Sequence, residues 1–123
     1  EDAVRRLVQR ALELHGYCVL PARSGEEAET IERSHLGPVH LLVTDVVMPG
    51  MGGRELADTV KSRRPQLKVL YMSGYTNDEV VRHGISLARD AFLQKPFMPN
   101  DLVAMVRATF ACSSDCARST EAR

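Results

Sequence analysis

Val39-His40-Leu41-Leu42-Val43-Thr44-Asp45-Val46-Val47-Met48-Pro49-Gly50-Met51-Gly52-Gly53 is the stretch on which the fold turns. Leu41, Leu42 and Val43 follow one another without polar alternation, the pattern of a parallel strand buried on both faces. Asp45 ends that strand, and a loop dense in turn formers follows it. Leu56, Ala57 and Val60 then recur at helical spacing, so the strand leads through a short loop into a helix.

The same alternation extends outward in both directions. Upstream, Val4, Leu7, Val8, Ala11 and Leu12 mark one face of a helix that Gly16 terminates. Residues 17–20 read as a short strand stopped by Pro21, and Ser24-Gly25-Glu26-Glu27 is a capping box opening a second helix. Downstream, Arg63-Arg64-Pro65 closes the third helix and residues 67–72 form another apolar strand. Thr76-Asn77-Asp78-Glu79 is a second capping box, opening a short helix that ends near Gly84. Residues 91–94 make a brief strand, Lys95-Pro96-Phe97 a turn, and Leu102, Met105, Val106 and Phe110 the inner face of a last helix. Residues 112–123 carry no periodicity and are expected to form a flexible tail. Helices alternating with strands over short connections imply a doubly wound α/β sheet with right-handed crossovers.

Composition fits one such domain. The chain has 123 residues, 44% of them apolar and 26% charged, the balance of a single globular unit. Lysine plus arginine equals aspartate plus glutamate at 16 each, so net charge gives no pull toward nucleic acid or an anionic membrane. Of Cys18, Cys112 and Cys116, the last two have no histidine near them, so four-ligand zinc spacing is absent, and His15, His35, His40 and His83 share no ligand spacing. No apolar run approaches a membrane span, and no signal peptide opens the sequence, so a reduced cytoplasmic location is expected. Lys61, Arg63, Arg64 and Lys68 cluster at the end of the third helix, where a solvated basic terminus suits the helix dipole.

In doubly wound sheets chemistry gathers at the carboxyl ends of the strands. Past those ends stand Pro21, Asp45, Ser73 and Lys95. Singly, Asp45 reads as a turn residue, Ser73 as a hydroxyl capping its own turn and Lys95 as a surface lysine. Together they are a carboxylate, a hydroxyl and an ammonium at one sheet edge, a set suited to phosphoryl transfer. A carboxylate can attack phosphorus to give an acyl phosphate. The transferring group spreads negative charge over three oxygens, which a lysine, a hydroxyl donor and a divalent cation can neutralise. Glycines after Asp45 let backbone approach the anion closely.

Thr44-Asp45-Val46-Val47-Met48-Pro49-Gly50-Met51-Gly52-Gly53, Met72-Ser73-Gly74-Tyr75-Thr76 and Lys95-Pro96-Phe97 resemble the receiver domains of two-component signalling, in order and over residues 1–111. The resemblance implies a flavodoxin-like sheet of strand order 2-1-3-4-5. It implies that Asp45 accepts a phosphoryl group from the phosphohistidine of a histidine kinase or a histidine phosphotransfer domain. It further implies that Lys95 and Ser73 assist, with Mg2+ or Mn2+ held by Asp45, the Val47 carbonyl and an acidic pair expected upstream of Glu1. Ser73 and Phe92 become the switch residues, a cis peptide precedes Pro96, and Thr76, Asn77, Val80, Val81, Phe92 and Gln94 form the output surface toward a downstream protein. Such a domain assists its own phosphorylation and dephosphorylation, contacts neither nucleic acid nor membrane directly, and can dimerise.

Met72-Ser73-Gly74-Tyr75-Thr76 with Phe92-Leu93-Gln94-Lys95-Pro96-Phe97 is similar to receivers fused behind hybrid sensor histidine kinases. One family feature is missing: the first buried strand with its acidic pair, expected just before Glu1. Glu1 and Asp2 read instead as the start of the first helix, where acidic residues suit the dipole. The rival readings are a receiver-like interaction module that never carries phosphate, and a small flavodoxin-like enzyme or nucleotide binder. The latter would need a phosphate-cradling glycine loop after the first strand.

Overall fold

The computed structural model describes residues 2–47, 50–74 and 91–111. The second capping box, the short helix after it, the output positions Thr76, Asn77, Val80 and Val81, and the 112–123 tail with Cys112 and Cys116 lie outside the described residues.

Helix α1 (Asp2–Leu14) leads to α2 (Gly25–Ser34), strand β1 (Leu41–Asp45), α3 (Gly53–Arg63), β2 (Lys68–Ser73), β3 (Ala91–Gln94) and α4 (Pro99–Ala111). The three strands form one parallel sheet in the order β1-β2-β3, with Leu41 opposite Lys68 and Leu70 opposite Ala91. Side chains alternate across each strand, so a sheet covered on both sides splits the core in two. Leu41, Val43, Leu70, Met72 and Leu93 pack with Val8, Leu12, Leu102 and Val106 of α1 and α4. Leu42, Val69 and Tyr71 face the other way, onto Leu56, Ala57 and Val60 of α3 and Ala28 of α2. Doubly wound α/β architecture follows directly from that division.

Residues 17–20 are not a strand. A strand exists through its ladder, and among the described residues β1 pairs only with β2, so residues 17–20 have no strand beside them. In the expected 2-1-3-4-5 order a further strand lies between that segment and β1; no described residue fills this position. Tyr17 and Val19 still contribute to the first core layer, and Tyr17 stacks on Phe110 of α4 with ring centroids 6.0 Å apart.

The first capping box forms: Glu27 N donates to Ser24 Oγ at 3.1 Å and Arg23 N donates to Glu27 Oε1 at 2.5 Å. Glu27 thus reaches one residue beyond the cap itself. The basic terminus of α3 is built differently from the solvated end expected of it. Arg63 Nη2 lies 2.6 Å and Arg64 Nε 2.7 Å from the two carboxylate oxygens of Glu32 on α2. Arg64 also donates to the carbonyls of Gly37 and His35, both at 3.0 Å, fixing the turn into β1. Two arginines therefore clamp α2 to α3 through one buried glutamate.

Burial pushes the Glu32 carboxyl up, but hydrogen bonds and charge from Arg63 and Arg64 outweigh it and hold the group below the ordinary carboxylate value. A lowered folded-state pKa stabilises the fold above the unfolded value of roughly 4.3, and the gain is lost as pH falls through the folded value. Glu32→Gln is expected to cost about 2 kcal/mol at pH 7, less than the ~3–5 kcal/mol of a fully buried pair because water screens the clamp. Urea melts should show the gap between the two proteins narrowing as pH falls below the ordinary carboxylate range; a gap that stays constant on acidification until the fold is lost would deny the clamp its charge.

Candidate functional site

β1, β2 and β3 all end at the same edge of the sheet, which is where parallel pairing puts Asp45, Ser73 and the residue after Gln94. Asp45 is the last residue of β1, Ser73 the last of β2, and Lys95 follows β3 directly. The structure brings the carboxylate and the ammonium into contact: Lys95 Nζ lies 2.6 Å from Asp45 Oδ1. Both side chains are about four-fifths buried, with exposures of 21% and 19%, so this pair is only partly screened by water. Asp45 Oδ1 is itself buried and, the ammonium aside, meets no hydrogen-bond donor among the described residues. Its lone pairs are thus held toward positive charge rather than spent on backbone N–H groups.

The backbone around Asp45 is tightly placed. Val46 N donates to Met72 O at 2.9 Å, extending the β1–β2 connection one residue past the carboxylate. The buried Thr44 hydroxyl donates to Asp45 O at 3.0 Å. Helix α3 returns at once: Gly53 N donates to Val46 O at 2.9 Å, and the Cα of Gly53 lies so close to the Asp45 carbonyl that a Cβ there would collide with it. From sequence alone these glycines suggest room for an anion. In the fold Gly53 makes room for the carbonyl of Asp45 itself, a close approach legible only once α3 is docked.

Ser73 is 3% exposed, and its carbonyl accepts the Lys95 N–H at 2.8 Å. The Lys95–Pro96 peptide is cis, as the resemblance implied. Phe92 lies opposite Tyr71 and packs, half-buried, against the second core layer. Gln94 is exposed at the end of β3. Val47 is half-buried in the loop after Asp45. Among the described residues no three His, Cys, Asp or Glu side chains gather as a metal cage. Asp45 offers one carboxylate to a hard cation, and a full oxygen shell needs further ligands. No helix among the described residues is long and apolar enough to cross a membrane.

The family profile described as "Response regulator receiver domain" matches residues 1–107. The "Sensor kinase CckA" of Brucella abortus (strain 2308) is 40% identical over 107 residues, covering 87% of this chain and 11% of that protein. The "Response regulator receiver protein CpdR" of the same organism is 38% identical over 104 residues, covering 84% of each. The chain spans 11%, 25% and 50% of the first three curated relatives it matches, so it corresponds to one part of those longer proteins. Among solved structures, the chemotaxis protein CheY4 of Vibrio cholerae superposes with a TM-score of 0.75 at 25% identity, covering 89% of this chain and 91% of that one. A CheY-like receiver domain protein of Methanospirillum hungatei JF-1 gives 0.74 at 26% identity, covering 88% and 85%.

Proposed function

The chain belongs to the response regulator receiver family of two-component signalling, and from that premise we propose that Asp45 is the residue on which it carries the phosphoryl group. Receiver domains accept phosphoryl groups with the help of Mg2+ and interact with histidine kinases or phosphotransfer proteins. The observation that supports Asp45 is the 2.6 Å contact between its buried Oδ1 and Lys95 Nζ at the shared strand edge.

A carboxylate oxygen of Asp45 attacks phosphorus, the P–N bond of the donor phosphohistidine breaks, and the imidazole nitrogen leaves with the electron pair. Lys95 moves its charge from the carboxylate to a phosphoryl oxygen, and the Ser73 hydroxyl donates to another. Mg2+, when bound, would supply further charge neutralisation; Asp45 and the Val47 carbonyl would hold it from this chain, and the resemblance implies that an acidic pair upstream of Glu1 would complete the site. Hydrolysis reverses the state: water attacks phosphorus, inorganic phosphate leaves, and the Asp45 carboxylate returns to Lys95. Residues 1–111 form the receiver domain and residues 112–123 a tail outside it. Ser73 and Phe92 transmit the switch to the surface formed by β3 and residues 76–81. The 40% likeness to a sensor kinase supports a parent that is a hybrid histidine kinase with a cytoplasmic receiver.

Intact-protein mass after incubation with acetyl phosphate tests this reading. One added phosphoryl group with Mg2+ and none with EDTA is the expected result. No uptake in folded protein supplied with Mg2+ and carrying the acidic pair upstream of Glu1 would favour the rival, an interaction module of the same fold that never carries phosphate.

A further inference from the structure

Gln94 occupies the last position of β3, where an exposed amide would ordinarily turn to water. It does not. Its Nε2 donates to Ser73 O at 3.2 Å and to Lys95 O at 3.4 Å. Ser73 O already accepts the Lys95 N–H at 2.8 Å, and Ser73 and Gln94 stand opposite each other in the β2–β3 register. One side chain thus spans the carbonyls on either side of the step by which the chain leaves the sheet, and that step sets where the Lys95 ammonium goes.

We infer that Gln94 is a positioning residue for phosphoryl transfer, strapping the end of β3 to the end of β2 so that Lys95 stays directed at Asp45. The inference rests on the assignment of Asp45 and Lys95 above. Lysine has four rotatable side-chain bonds, so its ammonium is directed only as well as its backbone is held. The ladder ends at Ser73 and Gln94, leaving Lys95 one backbone bond to β2. The Gln94 amide adds side-chain donors to this junction without burying anything, so the core does not depend on it. An amide is required for this role because it offers two N–H groups to two acceptors, whereas a carboxylate of the same shape offers none when ionised.

Three variants separate this role from a general effect on the fold: Gln94→Ala, Gln94→Met, which keeps length and apolar contact, and Gln94→Glu, which keeps shape. Rates of phosphoryl gain from acetyl phosphate with Mg2+ are expected to fall about five- to tenfold in all three at neutral pH, the equivalent of one lost hydrogen bond. Melting temperatures should stay within about 2 °C of wild type, since Gln94 is an exposed residue at a strand end and outside the core. As pH drops through the carboxyl range, Gln94→Glu should regain rate relative to Gln94→Met at the same pH, because a protonated carboxyl can donate again. A purely structural role would not produce that recovery. Wild-type rates in all three variants, or equal rates for the Glu and Met variants at every pH, would overturn the strap while leaving Asp45 as acceptor. Failure of the wild type itself to take up phosphoryl would overturn the underlying assignment, and the strap with it.

Discussion

Asp45→Asn is expected to keep its unmodified mass under conditions where the wild type gains one phosphoryl group, with a loss in rate of at least ~10³. The amide is isosteric, so Lys95 and the loop after β1 keep their places while the nucleophile disappears. An amide oxygen carries no full charge, is a poor nucleophile toward phosphorus and cannot form the acyl phosphate. The change also removes the ion pair at 2.6 Å and leaves the Lys95 ammonium without that carboxylate. Because that ammonium keeps some access to water, the effect on stability should be small beside the effect on chemistry. Tryptic mapping of the labelled wild type should place the phosphoryl group on the peptide containing Asp45. Label on another carboxylate, or undiminished uptake by Asp45→Asn, would remove Asp45 from the role given to it.

Gly53→Ala should be among the most damaging single-methyl additions in the chain. A Cβ at Gly53 would overlap the Asp45 carbonyl oxygen and would also stand 3.0 Å from its carbon and 3.2 Å from Val46 Cα. All three obstacles are backbone atoms of the β1 end, which is held by hydrogen bonds to β2, so none can rotate away. Alanine favours helix over glycine by roughly 1 kcal/mol at an interior position, and less at a first turn. Overpacking against fixed backbone costs about 3 kcal/mol, so the clash prevails. The scale is roughly 4–8 °C per kcal/mol for 60–100 residues and 2–4 °C for 150–250, so at this intermediate size the midpoint should fall by about 8 °C. The contrast is Gly16, whose φ of +91° strains any other residue but whose Cβ would meet nothing within 4 Å. Gly16→Ala is therefore limited to a backbone cost of about 1–2 kcal/mol. Calorimetry on the two variants should rank them in this order, and equal midpoints would mean that α3 shifts away from β1 at little cost.

Asp45 stood out from the sequence because its neighbours did: an unbroken apolar run ending in a carboxylate, then a loop of turn formers. Gly53 was read there as room for a ligand, and only the docked helix shows that its missing side chain makes room for the carbonyl of the acceptor. The Glu32 clamp was not legible either. Glu32 and Arg63 are 31 positions apart, and a basic run at a helix end looks the same in sequence whether solvated or paired. Burial of Glu32 at 8% exposure marks the difference, and burial belongs to the packing of α2 on α3.

The sequence by itself determined the kind of protein this is. Periodicity distinguishes helix from strand because side-chain direction repeats every 3.6 or every 2 residues, and the alternation of the two requires parallel strands whose carboxyl ends share one edge. That was enough to name Asp45, Ser73 and Lys95 as neighbours. Tertiary structure decided what depends on partners distant in the chain. Residues 17–20 carry a strand's pattern, and among the described residues no strand lies beside them to complete a ladder, which hydrogen bonds to another segment must supply. Likewise the contact of Lys95 with Asp45, the clamp on Glu32 and the turn of Gln94 back onto Ser73 are distances between side chains and backbone brought together by folding. A linear pattern can state which groups are present; which of them touch is fixed only when the sheet registers and the helices pack.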